Sequence, residues 1–138
     1  FAVGVGDDML YRVCECLAAG ATFVCVDVAH GHHIMMKEAL RAIRDAIGDD
    51  LHIMAGNVAT LKAINDLADW GANSVRCNIG GGSICSTRVQ TGHGHPGLQT
   101  ILDCAFTDRD ALGNKRDTRR GLYPTRRNKV QNLSRDGF

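Results

Sequence analysis

Thr22-Phe23-Val24-Cys25-Val26-Asp27-Val28 is a short, nearly continuous apolar run. That is the pattern of a strand buried on both faces. Three more runs share it: Phe1–Val5, Leu51–Ala55 and Asn73–Cys77. Helical patterns lie between them. Asp7-Asp8 offers a cap and negative charge at a helix start; Leu10, Val13, Cys14 and Leu17 then follow 3–4 spacing, and Gly20 stops the helix. The second helix places Met36, Leu40, Ile43 and Ile47 on one face, with Lys37, Glu38, Arg41 and Arg44 elsewhere, and ends at Gly48. The third starts near Thr60, gathers Leu61, Ile64, Leu67 and Ala68, and ends at Gly71; a fourth is expected over Leu98–Ala105.

The order is β-α-β-α-β-α-β-loop-α, with strand starts 21 to 29 residues apart. This is the period of right-handed crossovers in a parallel sheet. The open doubly wound sheet and the (β/α)8 barrel both use it, and both collect their chemistry at the C-terminal strand ends. The polar and Gly-rich residues fall there: Asp27 to His33, Gly56-Asn57, and Asn78 to Thr87.

The 138 residues suffice for one domain; 44% hydrophobic against 22% charged permits a core and argues against general disorder. With 16 Gly and only 2 Pro, collagen-like and Pro-rich linker readings are out. No apolar run approaches a membrane span and no secretion signal is visible. The six cysteines therefore read as reduced thiols in the cytoplasm rather than as disulfides. Residues 1–106 carry a net −4 and residues 107–138 a net +5. The latter stretch has few apolar residues and no period, and reads as an irregular, solvated basic tail. Its Lys115-Arg116, Arg119-Arg120 and Arg126-Arg127 pairs lack any folded nucleic-acid motif, so nucleic-acid binding is not expected. The start at Phe1 rather than Met reads as a fragment or a processed product.

The densest chemical signal is Asn78-Ile79-Gly80-Gly81-Gly82-Ser83-Ile84-Cys85-Ser86-Thr87-Arg88, followed by Thr91-Gly92-His93-Gly94-His95-Pro96. The glycines admit close backbone approach and point N–H groups at an anion, and Ser83 adds a donor. Cys85 falls at the loop apex, where amides and Arg88 would lower its pKa. From composition, two readings stand: an anion cradle beside a covalent nucleophile, and a Gly-rich turn with a buried cysteine. No Lys follows at P-loop spacing. His30-Gly31-His32-His33, with His93 and His95, is a candidate metal cluster, but no Cys or carboxylate stands nearby at ligand spacing.

Gly80 to Arg88 resembles the signature loop of the IMP dehydrogenase and GMP reductase family, typically Gly-Pro-Gly-Ser-Ile/Val-Cys-Thr-Thr-Arg. Thr91–Pro96, Val26–His32 and Ala55–Thr60 resemble further segments of that family, in order and at the right separations. The resemblance covers residues 1–105. It implies a partial (β/α)8 TIM barrel of about four parallel β/α units, corresponding to the third to sixth strands, with residues 106–138 as the tail. It implies that Cys85 attacks C2 of a purine nucleoside monophosphate. Hydride then passes to NAD and water hydrolyses the adduct; in the reductase direction NADPH drives loss of ammonia from GMP. It further implies that Thr87 is the catalytic-loop threonine, that Ser83 and Gly82 contact substrate, and that Asn57 is an active-site amide. Asp27 matches the acid near the cofactor's nicotinamide ribose. The carbonyls of Gly80, Gly82 and Cys85 match a monovalent-cation site, usually potassium. A homo-oligomer, a tetramer in the intact family, goes with it.

Two positions depart from the pattern: Gly81 replaces the usual Pro, and Asn78 stands where Gly is common. The family's Asp-Gly-Gly phosphate segment, its second phosphate loop and its Arg-Tyr flap have no counterpart. A truncated, alternatively spliced or frame-shifted product is the expectation, inactive by itself. His30-Gly31-His32 and Gly56–Thr60 look more like the dehydrogenase, and Phe23–Ala29 more like the reductase; the dehydrogenase is slightly favoured. The reading from another class is an inactive partial barrel that binds nucleotide or joins full-length subunits.

Overall fold

The computed structural model describes residues 1–107. Its elements are β1 (Ala2–Val3), α1 (Met9–Ala18), β2 (Phe23–Asp27), α2 (Ile34–Ile47), β3 (His52–Val58), α3 (Leu61–Asp69), β4 (Ser74–Cys77), α4 (Thr87–Thr91) and α5 (Gly97–Cys104). The four strands form one sheet in the order β1-β2-β3-β4, and every pairing is parallel. From residue 108 onward, the basic tail expected over 106–138 lies outside the described residues.

Successive strand side chains point to opposite faces, so the alternation of burial locates the helices. Val24 and Val26 of β2, Ile53 and Ala55 of β3 and Cys77 of β4 are buried in one core. Met9 and Val13 of α1, Met36, Ala39, Leu40 and Ile43 of α2, and Ala63, Ile64 and Leu67 of α3 complete that core, with Cys104 of α5. The helices thus share one face of the sheet. A doubly wound sheet has helices on both faces; sequential parallel β/α units with helices on one face are an arc of a (β/α)8 barrel.

The apolar runs predict strands buried on both faces, and β2 is not. Phe23, Cys25 and Asp27, on the face away from the helices, are exposed or half-buried. On the same face Met54 of β3, the register partner of Cys25, is buried, so burial on both faces holds in β3 and fails in β2. In α1 the buried pair is Met9 and Val13 rather than the Val13-Cys14 stripe; Cys14 is exposed because it lies about 100° further round the helix. Asp8 occupies the N-cap position but makes no side-chain cap. The first turn is closed by the Met9 N–H donating to the Gly6 carbonyl at 3.0 Å. Thr60, by contrast, caps α3 by accepting from the Ala63 N–H at 3.2 Å.

The third strand runs past its expected end at Ala55 to Val58. Gly56 pairs with Asp27 on one side and Arg76 on the other, and the ladder shifts register between Gly56 and Val58. A side chain at 56 is impossible there, since a Cβ would lie 2.6 Å from the Arg76 Cβ. No helix among the described residues is long and apolar enough to cross a membrane.

The N-terminal strand ends are locked by Arg44, whose side chain is only 15% exposed. Its Nε donates to the Gly71 carbonyl at 2.9 Å. Its Nη1 donates to the carbonyls of Gly48 and Leu51, each at 2.9 Å, and its Nη2 to the Asn73 side chain. One cation thereby satisfies the end of α2, the end of α3 and the starts of β3 and β4. We expect Arg44→Ala to destabilise the chain by about 3 kcal/mol, because it removes the donor of the part-buried Gly71 and Leu51 carbonyls and of the Asn73 side chain. Arg44→Lys should recover only a minor part, since an ammonium cannot span the fork. Urea unfolding of the three proteins measures both effects.

Candidate functional site

At the opposite, C-terminal ends of the strands, three segments converge. Asp27 closes β2, and its Oδ2 accepts from Arg76 Nη1 at 2.7 Å. Its carboxylate is 41% exposed, while Arg76 beside it is largely covered. The loop after β2 is stitched to β3 by backbone. The Val28 N–H donates to the Gly56 carbonyl at 2.9 Å, the Asn57 N–H to Val28 at 2.8 Å, and the Gly31 N–H to Asn57 at 2.7 Å. Asn57, which follows a cis peptide bond, has a buried side-chain oxygen without a hydrogen-bond partner.

The third segment is the Gly-rich loop after β4. Gly80 turns the chain at φ +70°, and the Cys85 N–H donates to the Gly82 carbonyl at 3.2 Å. Ser83 and Cys85 are exposed. The sequence pattern predicts an uninterrupted loop before Leu98, but the segment contains the five-residue helix α4, which begins at Thr87. That helix brings Thr87 Oγ1 within 3.3 Å of Cys85 Sγ, the thiol donating to the hydroxyl. With the sulfur ionised, the same hydroxyl can donate to it. The Thr87 hydroxyl and amide, ahead of the more distant charge of Arg88, hold the Cys85 thiol below its ordinary pKa. Arg88 serves the loop mainly as a strut: its side chain passes beside Gly80 and Gly94, and its Nη2 donates to the His95 carbonyl at 3.1 Å.

Cys25 and Cys77 are shifted the other way, whereas the hydrogen bond with Cys77 also holds the buried Cys104 thiol below its ordinary value. Burial pushes the Cys25 thiol up, with Arg76 opposing. A hydrogen bond with Cys104, together with burial, pushes the Cys77 thiol up. All six are unpaired. The reading of Cys85 as a buried turn residue is thus set aside. Asp27, Asn57 and the Gly80–Thr87 loop share one end of the sheet, as the sequence pattern required.

Four histidines of the candidate cluster, His32, His33, His93 and His95, are held by separate partners. His33 caps α2, its Nδ1 accepting from the Met35 N–H at 3.2 Å. The His32 Nε2 lies 2.8 Å from Asp66 Oδ2 on α3, and its ring stacks on Trp70. His93 and His95 lie against the Thr91 carbonyl and the Thr100 hydroxyl. No group of three His, Cys, Asp or Glu among the described residues could hold a metal ion. The His32–Asp66 link spans 34 residues and has no local sequence signal.

Residues 1–113 match the model of the IMP dehydrogenase / GMP reductase domain. An inosine-5'-monophosphate dehydrogenase of Halalkalibacterium halodurans is 46% identical over 104 residues, which are 75% of this chain and 21% of that protein. The solved inosine 5' monophosphate dehydrogenase from Legionella pneumophila superposes with a TM-score of 0.71 at 45% identity, covering 79% of this chain and 33% of its own. A GMP reductase from Trypanosoma brucei, solved in complex with guanosine 5'-triphosphate, gives a TM-score of 0.71 at 36% identity, covering 75% of this chain and 25% of its own. The chain spans about a fifth of the length of the curated relative and a quarter to a third of the two structures.

Brief substoichiometric alkylation at pH 7, mapped by mass spectrometry, should label Cys85 ahead of the likewise exposed Cys14, with Cys77 and Cys104 protected. Thr87→Val should slow Cys85 labelling roughly three- to tenfold by removing the hydroxyl that favours the thiolate. The His32–Asp66 link carries an expectation for acid. Lys62, and after it His32, hold the Asp66 carboxyl below its ordinary value of 3.8. Its contribution to stability is therefore whole above that value and is lost as the pH falls through the lower folded value. Urea unfolding from about pH 2.5 to about pH 6 should show a shallower acid loss for Asp66→Asn than for the unmodified chain.

Proposed function

Because the chain belongs to the IMP dehydrogenase / GMP reductase family, we propose that it carries the nucleophile of a purine-nucleotide oxidoreductase, with Cys85 as the attacking group. The observation that carries this reading is the exposed Cys85 thiol beside the Thr87 hydroxyl, 3.3 Å away, at the C-terminal end of a parallel sheet. The Cys85 thiolate adds to C2 of the purine ring of a nucleoside monophosphate, forming a C–S bond as the C2=N3 π pair moves onto N3, from where it restores the double bond when hydride departs. In the dehydrogenase direction the electron pair of the C2–H bond leaves as hydride, and water then cleaves the C–S bond, releasing the 2-oxo purine and returning the thiol. Thr87 stabilises the sulfur as an anion when it attacks and again when it departs. Ser83 and the amides of the Gly80–Gly82 segment are donors for the substrate phosphate. Asn57, at the same end of the sheet, is the active-site amide of this reading, its side-chain oxygen buried and without a partner.

A nicotinamide cofactor, when bound, supplies the hydride acceptor. The group that suits its ribose hydroxyls is the Asp27 carboxylate, which is partly exposed at a strand's C-terminal end with Oδ2 held by Arg76. The carbonyl oxygens of Gly80, Gly82 and Cys85 are the donors that would hold a hard monovalent cation such as potassium, and the Gly82 carbonyl also accepts from the Cys85 N–H. That ion would supply positive charge to hold the loop. The six unpaired cysteines support a reducing, cytoplasmic setting.

The dehydrogenase direction is favoured by the His30-Gly31-His32 segment and by the 46% identity to the Halalkalibacterium enzyme. The reductase direction is the second reading, favoured by Phe23–Ala29 and by the likeness to the Trypanosoma enzyme.

The 138-residue chain should form a one-to-one covalent adduct with an IMP analogue bearing a leaving group at C2, and Cys85→Ala should abolish it. Intact-mass spectrometry followed by peptide mapping reads the adduct. With potassium, IMP and NAD, or GMP and NADPH, the same chain should give no change in nicotinamide absorbance above the Cys85→Ala control. Adduct on another cysteine would sink the nucleophile assignment, and Cys85-dependent turnover would show that the chain holds more of the site than Ser83 and the glycines.

A further inference from the structure

Asn78 follows β4 directly and, among the described residues, is the sole non-glycine with a positive φ, at 149°. That is a region side-chain-bearing residues rarely adopt, and such backbone persists where its surroundings hold it. Its footing is firm: the Asn78 N–H donates to the Val58 carbonyl at 2.8 Å, and the neighbouring Ile79 carbonyl accepts from the His95 N–H at 3.1 Å. From this footing the side chain enters the loop. A Cβ on Gly81 would lie 2.1 Å from Asn78 Nδ2 and 2.8 Å from its Cγ. A Cβ on Gly97, the first residue of α5, would lie 3.3 Å from the same Nδ2. The amide therefore fills the gap between the 80–82 segment and the start of α5. Its Oδ1 is buried without a hydrogen-bond partner, so its fit there is chiefly steric.

We propose that Asn78 is a positioning residue for the Cys85 loop, a wedge whose side chain occupies the space that any side chain at position 81 would take. Residues 78 and 81 then form one steric unit. The two departures from the family's loop pattern, Asn for Gly at 78 and Gly for Pro at 81, become a single exchange: a proline ring and the Asn78 amide compete for the same volume. The unit acts on Cys85 through Gly82. The Gly82 carbonyl accepts from the Cys85 N–H, and a Cβ on Gly82 would lie 3.3 Å from the Cys85 Cβ. A shift of the 80–82 segment therefore moves Cys85 relative to Thr87. The consequence for catalysis rests on Cys85 being the nucleophile, whereas the steric coupling does not.

The test is a double-mutant cycle on the full 138-residue chain with Asn78→Gly, Gly81→Ala and the two combined. The readout is the ratio of Cys85 to Cys14 alkylation by iodoacetamide at one pH and one potassium concentration. Each single variant should change the ratio roughly threefold or more, and the combined variant should return towards the parent value, because the methyl group introduced at position 81 then sits in the space that the Asn78 side chain vacated. Effects that multiply, or a Gly81→Ala ratio equal to the parent's, would overturn the proposal. If Gly81→Ala does not fold, amide exchange at Gly82 and Cys85 in Asn78→Gly decides: faster exchange is expected, and unchanged exchange overturns the wedge. Absence of an adduct with the purine analogue would remove the nucleotide reading while leaving the cycle intact, so the two failures are distinguishable.

Discussion

Arg44 is the interaction on which the sheet's geometry depends. Parallel strands have no hairpins to fix their register, and each must be set by what precedes and follows it. Here one guanidinium binds the Gly48 and Leu51 carbonyls before β3, the Gly71 carbonyl after α3, and the Asn73 side chain before β4. Asn73 relays the constraint. Its Oδ1 also accepts from the Ile53 N–H at 2.8 Å, and its own N–H donates to the Ile53 carbonyl at 2.8 Å. The starts of β3 and β4 are thus fixed against each other by a network with little exposure to water. In such a setting each bond is stronger and each missing partner more costly.

The two ends of the sheet are built on opposite rules. At the Arg44 end, the loop carbonyls and the Asn73 oxygen all find donors. At the Cys85 end, Asn57 and Asn78 keep unpartnered buried oxygens, and Asn78 holds a backbone conformation suited to glycine. Local inconsistencies of this kind, confined to one end of a fold that is otherwise self-consistent, mark where a chain has been shaped by something other than stability. The well-satisfied end makes the other tolerable. The pairing of β3 with β4 is regular from Met54 to Gly56, near the Arg44 end, and shifts register between Gly56 and Val58, beside Asn78.

What could be read from the sequence follows the range of the signal. The strands and the α2 and α3 faces were legible because their periodicity is local: Met36, Leu40 and Ile43 repeat at helical spacing, and all three are buried. The Gly80–Arg88 loop was legible as a motif. The role of Arg44 was not, because periodicity places a long side chain off the apolar face and cannot tell whether it turns back over the helix end. The extension of β3 through Gly56-Asn57 was hidden because Gly and Asn are ordinarily turn residues; the close approach of Arg76 makes Gly56 a strand residue here. Helix α4 was missed because five residues without a buried side chain have no apolar stripe to detect. The His32–Asp66 contact and the Asn78–Gly81 fit are tertiary, and only coordinates reveal them.

The same distinction of range separates the two halves of the chemistry proposed for Cys85. Activating a thiol is a local task. A hydroxyl two residues on, at the start of α4, and an arginine one residue later lower the thiol's pKa, with the Gly82 backbone adding to them, and all of it lies within Gly82–Arg88. Holding a substrate in reacting geometry is a distributed task, because the groups that fix a ligand at a barrel mouth come from the ends of several strands. The described residues contribute four such ends: Val3 with its following loop, Asp27, Val58 and Cys77. Proximity supplies on the order of 7–11 kcal/mol to a well-oriented reaction, far more than a modest shift in thiol ionisation can. Thiol activation and substrate positioning are therefore separable properties, and covalent chemistry and turnover have to be judged by separate measurements.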